Sequence, residues 1–345
     1  MNKTLLTIAL ISFLALAKPA AAQDFDFGKV TDQELNMEYY PKDTSAHAVV
    51  LQEFARSRLN LDNDDHIKIF YEYHVKIKIF DDQGFDKGSV KVNVYNSGDN
   101  ETFETVYGIK GITSYRDDNG AIKQVELVNK NIYMQKENKH LGSYSFALPG
   151  LKKGCVIEYT YTMDSPYWFN MPPWSFQDDI PKIYSEYEVH IPGFWVFNAS
   201  LRGSLKLTKN SGTVEQKCFS TGNASCDCSL LVFGMQDIPA FIEEDYMTSK
   251  KNFISAIEFE LSDYTNPYTG GKVKWTKEWK DVDYQLKTDA DFCGQTKKKS
   301  LFKDRLVPVL IGKKDSLEQA QAVYSYIQGL IKWNGELRFE SEDGI

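Results

Sequence analysis

The 345-residue chain carries 48 acidic against 40 basic residues, a net charge of −8, and 14% of it is Phe, Trp or Tyr. An acidic surface repels nucleic acid, and no basic stripe interleaved with aromatics offsets it, so nucleic acid is not an expected partner. The length exceeds what one hydrophobic core usually serves, which points to two domains. The wealth of flat rings favours pleated, half-buried surfaces.

Residues 1–22 read as an export leader. Lys3 supplies the positive start, Leu5 to Ala17 an apolar run, and Ala20-Ala21-Ala22 a small-residue cleavage site before Gln23. Lys18 and Pro19 break that run short of the roughly 20 apolar residues that a spanning helix needs. The expectation is an exported chain, periplasmic or secreted after cleavage near Ala22, with no transmembrane segment in its mature form. Losing the leader removes Lys3 and Lys18 and no acid.

The sequence then predicts a short helix to about Tyr40, opened by the capping box Thr31-Asp32-Gln33-Glu34. Ala48 to Leu59 is ambiguous between helix and strand and is read as strand. It is followed by an Asp62–Asp65 turn and a strong alternating run from Ile67 to Phe80. Asp62 to Asp65 lacks the sixth-position glycine and twelfth-position glutamate of a calcium loop, since Ile67 and Tyr73 stand there. Turn signals recur at Gln83-Gly84, Ser97-Gly98, Asn119-Gly120, Pro149-Gly150, Lys153-Gly154, Pro192-Gly193 and Ser211-Gly212. Between them fall Val90–Tyr95, Val106–Tyr115, Ile122–Val128, Cys155–Met163, Ile183–Ile191 and Thr213–Ser220, with Phe253–Leu261 beyond the last. Many short strands between turns predict a mainly β fold, an antiparallel sandwich over residues 23–265. A short helical segment over 266–345 follows. Its predicted helices are Trp275–Leu286, Leu301–Leu310 with Pro308 inside, and one opened by Ser316-Leu317-Glu318-Gln319 with an apolar stripe of Ala320, Val323, Tyr324, Ile327, Leu330 and Ile331.

The wording from Phe146 to Pro192 is more particular than its strand pattern. It includes Phe-Ala-Leu-Pro-Gly-Leu-Lys-Lys-Gly-Cys-Val-Ile-Glu-Tyr and Trp-Ser-Phe-Gln-Asp-Asp-Ile-Pro-Lys-Ile-Tyr-Ser-Glu-Tyr. This stretch resembles a bacterial exported β-domain family of unknown function, usually found directly ahead of a transglutaminase-like domain of the cysteine-protease superfamily. Ala322 to Asn334 looks like the helix that precedes that domain's cysteine. The resemblance implies a non-catalytic β-sandwich module attached to a transglutaminase-like domain that stops before its catalytic cysteine. The implied role is positioning or interaction, and the implied partner is the following domain or another envelope protein. No residue of the cysteine, histidine and aspartate motifs maps onto this chain, so no catalytic residue is assigned.

The residues themselves add little chemistry. Cys293 is set among carboxylates, with no histidine after it, and reads as inert. His47, His66, His74, His140 and His190 show no metal-type spacing, and neither cofactor nor metal is expected. An exported chain permits a disulfide from Cys218 to Cys226 or Cys228 across a hairpin whose tip includes Asn223. The candidate contact surface is Tyr167, Trp168, Phe169 and Trp174, rings in a segment stiffened by Pro172 and Pro173. They read either as a plug for the sandwich end or as an anchor for the following domain, a glycan or a peptide. A glycan or peptide ligand would make the chain a stand-alone cell-envelope binding protein.

Overall fold

A computed structural model describes residues 25–97, 102–222, 224–275, 278–290, 292–297 and 299–332. The leader, Gly98, Asn223 and Trp333–Ile345 lie outside the described residues. The chain divides into two compact units, one ending at Trp275 and the other beginning at Thr276.

The first unit is built of strands. A large sheet takes β1 (Ala48–Leu61), β2 (Ile67–Ile79), β4 (Thr105–Arg116), β5 (Ile122–Glu126), β8 (Val156–Ser165), β10 (Lys182–Pro192), β12 (Lys209–Ser220) and β13 (Ser225–Ile238). Their order across the sheet is β12-β13-β10-β1-β2-β8-β4-β5. Every pairing is antiparallel except β1 with β10, where Glu53 lies opposite Ser185 and Ala55 opposite Tyr187. A second sheet joins β3 (Ser89–Tyr95), β7 (Leu141–Ala147) and β6 (Ile132–Lys136). A third joins β11 (Trp195–Arg202), β14 (Ala256–Thr265) and β15 (Lys272–Lys274), with β9 (Trp174–Ser175) also paired to β14.

Alternation along the strands gives the large sheet two different faces. One face carries Ala55, Ile69, Tyr187, Val189 and Met235, packed with Trp174, Phe176, Trp195, Ile257 and Leu261 of the third sheet and its approach. Farther along the same face, Val50, Val75, Ile77 and Ile157 pack with Val92, Val94 and Phe146 of the second sheet. The opposite face carries charged side chains. It is partly closed by the segment around α1 (Asp32–Asn36), with Leu35 and Tyr40 packed on Val49, Leu51 and Val156. The Thr31–Glu34 capping box forms as expected and starts that helix.

The second unit holds α2 (Trp279–Thr288), α3 (Lys299–Leu310) and α4 (Ser316–Leu330). Three details differ from expectation. Trp275 belongs to the β unit, because β15 pairs with β14 and carries that unit ten residues past 265. The helix expected from Trp275 therefore starts at Trp279. The cap of α4 is Asp315, whose side chain accepts from the Glu318 amide, one residue before the expected Ser316. No residue of α2 or α4 is buried, so the apolar stripe of Tyr324, Ile327 and Leu330 stands exposed. Among the described residues, no helix is long and apolar enough to cross a membrane.

Candidate functional site

The aromatic segment begins where Pro166 follows β8, since proline cannot continue the ladder. A turn closed by the Asn170 amide on Tyr167 O (2.8 Å) then sends the four candidate rings to different places. Trp174, 4% exposed, lies in the core. Its ring stacks on Tyr187 (5.3 Å between centroids) and its indole N–H donates to Ser185 Oγ at 3.0 Å. Tyr167 turns toward β3, edge-on to Tyr95, with its hydroxyl donating to Thr102 O at 2.7 Å. Trp168 is part-buried, tilted over Tyr264 (4.6 Å) and edge-on to Trp195 and Trp275. Phe169, 41% exposed, stacks on Trp275, 47% exposed, with centroids 5.7 Å apart.

The segment is thus plug and surface at once. Trp174 fills the interior, while Trp168, Phe169 and Trp275 make an aromatic cap on the outside of the β unit. Trp275 is the member that the sequence reading missed, because it looked like the first residue of a helix.

Behind Trp174 lies a polar cluster that no motif announced. Glu53, buried on β1, accepts Lys182 Nζ (2.6 Å) and Ser185 Oγ (2.7 Å) on Oε2, and Tyr73 Oη (2.9 Å) on Oε1. Lys182 is 2% exposed. Burial, followed by the Glu53 charge, pushes the Tyr73 hydroxyl well above its usual range, so it remains a donor. Neighbouring Tyr159 and Tyr161 are raised chiefly by burial. The cluster forms the floor of a recess of about 360 Å³ between the large sheet and the second sheet. The available signal was a charge at Glu53 inside the run Val49-Val50-Leu51-Gln52-Glu53-Phe54-Ala55, where a buried strand needs none.

The cysteines do not converge on a thiol site. Cys218 and Cys228 are joined across β12 and β13 (Cα–Cα 5.7 Å), and Cys226 keeps its thiol. Burial raises the thiols of Cys226 and Cys155, which keeps both in the less nucleophilic protonated form. In the β1–β2 turn, Asp62, Asp64 and His66 bring ligand atoms within 4.8 Å of one another. The Asp62 carboxylate is already engaged by the amides of Asp64 and His66 (both 2.9 Å) and by Lys68 at 3.2 Å. Burial opposes its ionisation, but these donors outweigh it and hold the carboxyl at about 2. That is the bonding of a turn.

No family model matches the sequence, and no curated protein does. Among solved structures, one from Parabacteroides distasonis ATCC 8503, described as "a putative protease", superposes with TM-score 0.54 at 13% identity, covering 82% of this chain and 50% of that one. An M1 zinc metallopeptidase from Deinococcus radiodurans reaches a TM-score of only 0.29 at 10% identity, covering 75% of this chain and 56% of that one. At such identity the Parabacteroides likeness is one of fold alone, and this chain spans half of that neighbour's length.

Proposed function

We propose that the chain serves as a non-catalytic positioning module of an exported, transglutaminase-like or protease-type protein. In this role the β unit fixes where, and in which direction, the polypeptide that follows it departs. The observation that carries this reading is the hold on Trp275. Its amide donates to Ser262 O at 2.7 Å, and its ring lies on Phe169 and against Trp168. The last residue of the β unit is thereby secured by backbone and side chain together. The resemblance over residues 146–192 supports the reading, as does the fold likeness to the longer Parabacteroides protein. The disulfide of Cys218 with Cys228 and the burial of Cys155 support a non-catalytic role for that unit.

Limited trypsin digestion of the full chain tests it. An aromatic pair contributes about 0.5–1.5 kcal/mol beyond its burial, so the Phe169→Ala/Trp275→Ala variant will be cut at Lys274 up to about tenfold faster than wild type. The β core will stay intact by near-ultraviolet circular dichroism. Unchanged cleavage defeats the proposal, and so does peptide hydrolysis or amine cross-linking by the purified chain alone.

A further inference from the structure

Replacing a buried ion pair by well-packed hydrophobic residues is often neutral or stabilising, so stability alone does not account for Glu53 and Lys182 at the centre of this sandwich. The pair is almost wholly buried, with Glu53 6% and Lys182 2% exposed, yet both residues line the recess. The walls of the recess are Val50, Val75, Ile77 and Ile180, and its mouth carries Asp86, Lys87, Lys91, Asp178 and Asp179. A volume of about 360 Å³ falls at the lower end of the range for small-molecule sites, about 300–1,000 Å³.

The bonding left over at floor and mouth defines a complement. Among the described residues, one of the three donors on the Lys182 ammonium is used, by Glu53. At the mouth, Lys87 is shared by Asp86 (2.8 Å) and Asp179 (2.5 Å), and Lys91 is taken by Glu137 (2.5 Å). Asp178 is exposed; its backbone carbonyl accepts from the Phe241 amide (2.7 Å), while its carboxylate accepts the neighbouring Asp179 amide (2.8 Å) and has no ion-pair partner among the described residues. The floor therefore offers spare N–H donors and the mouth an uncompensated carboxylate. One short stretch of the chain supplies Asp178, Asp179, Ile180 and Lys182 to the recess.

We propose that the recess binds a small molecule bearing both a primary ammonium and a carboxylate or carbonyl oxygen, namely an amino acid or the amino-terminal residue of a short peptide. The oxygen accepts from Lys182 at the floor, and Asp178 at the mouth holds the ammonium. The site does not depend on the positioning role, since Trp275 contributes nothing to it.

The test is isothermal titration of the purified full chain with L-lysine, trialanine and N-acetyl-trialanine. Saturable binding of L-lysine or trialanine is expected, and acetylation, which removes the ammonium, will weaken trialanine at least about tenfold, or 1.4 kcal/mol. Binding of trialanine alone assigns a peptide terminus, and binding of L-lysine alone assigns a free amino acid. Asp178→Asn, an exposed change that the fold tolerates, will weaken the bound probe about tenfold. Lys182→Met is made together with Glu53→Gln, so that no bare charge is left buried, and will abolish binding. Phe169→Ala/Trp275→Ala will leave affinity unchanged, which separates this site from the proposed clamp. The proposal is overturned by the absence of saturable binding up to about 10 mM. Equal affinity for acetylated and free trialanine overturns it too, as does an Asp178→Asn variant that binds like wild type.

Discussion

On one face of the eight-stranded sheet, Tyr71, Tyr73, Tyr161 and Tyr187 stand among aliphatic side chains and lie beneath two smaller sheets. On the other face the same strands present Arg56, Glu72, His74, Lys76, Lys78, Glu158 and Glu188. There the cover is partly ion pairs, with Arg56 joined to both Glu188 and Glu72. The remainder is the amino-terminal segment. Phe25 stacks on His74 at 3.8 Å, the Gly28 amide donates to Glu158 at 3.1 Å, and His74 itself meets Glu158 at 2.8 Å. Lys76 donates to Lys29 O at 2.7 Å, and Lys78 to Leu35 O and Gly154 O at 2.7 and 2.6 Å. Adjacent residues of one strand thus close their two sides by unlike means. Apart from the Glu53–Lys182 pair, the ring-lined side depends on buried area, which is nearly indifferent to pH and salt, whereas the charged side depends on directed bonds whose strength follows protonation.

The contrast can be broken first on the ring-lined side. Trp174→Ala removes a large buried ring and the hydrogen bond it gives to Ser185, and urea denaturation will show a loss of about 3–5 kcal/mol. A loss below about 1 kcal/mol would place that ring outside the core. Close behind is Lys182→Ala, which leaves Glu53 buried without its cation and costs about 3–5 kcal/mol, while Glu53→Gln with Lys182→Met, which keeps an acceptor for Ser185 and Tyr73, stays near wild type. That pair of measurements separates the damage of breaking an ion pair from the worth of having one.

On the charged side, burial lowers the Lys78 ammonium from 10.5 to about 8. Between those values the unfolded chain binds more protons than the folded one, so stability rises with pH across that window and gains nothing further above it. Denaturation midpoints from pH 7 to 11 will show a slope of up to about one proton that disappears in Lys78→Met. Cys155, raised by burial from 9.0, acts in the opposite sense, so the difference between variant and wild type is the relevant quantity. A slope that persists in Lys78→Met would assign it elsewhere. The smallest effect belongs to Arg58→Ala, which loses a partly exposed pair with Glu72 and will cost less than about 1 kcal/mol, shrinking further in high salt.

Much of the strand layout was legible because alternation is a local signal. Val90–Tyr95, Ile183–Ile191 and the Ile67–Phe80 run match β3, β10 and β2 to within a residue or two, and the doubtful Ala48–Leu59 is β1. The Asn119-Gly120 turn also forms, with Gly120 at φ +78°. β13 escaped notice because Leu230-Leu231-Val232-Phe233 is a continuous apolar run with no period. β7, β9 and β11 escaped because what makes them strands is pairing with distant partners. The same limit applies to the recess. Glu53 and Lys182 are separated by 129 positions, and only the parallel register of β1 with β10 brings them within 2.6 Å. The aromatic segment was visible as composition. Its division between interior and exterior was not, because that depends on where β14 and Trp275 return.

The hold of Lys76, Lys78 and Glu158 on the amino-terminal segment has a consequence for the order of assembly. Residues 25–40 leave the ribosome early, yet the Gly28 amide is 130 positions away from the carboxylate that receives it. Contacts that distant in sequence carry a large loop-closure penalty and form late. Until β8 has been laid beside β2, Glu158 cannot meet His74 or the Gly28 amide, and only Lys76 and Lys78 can reach the segment. A nascent chain caught at that point will stay hydrated and soluble on one side while its tyrosine side remains exposed to chaperones.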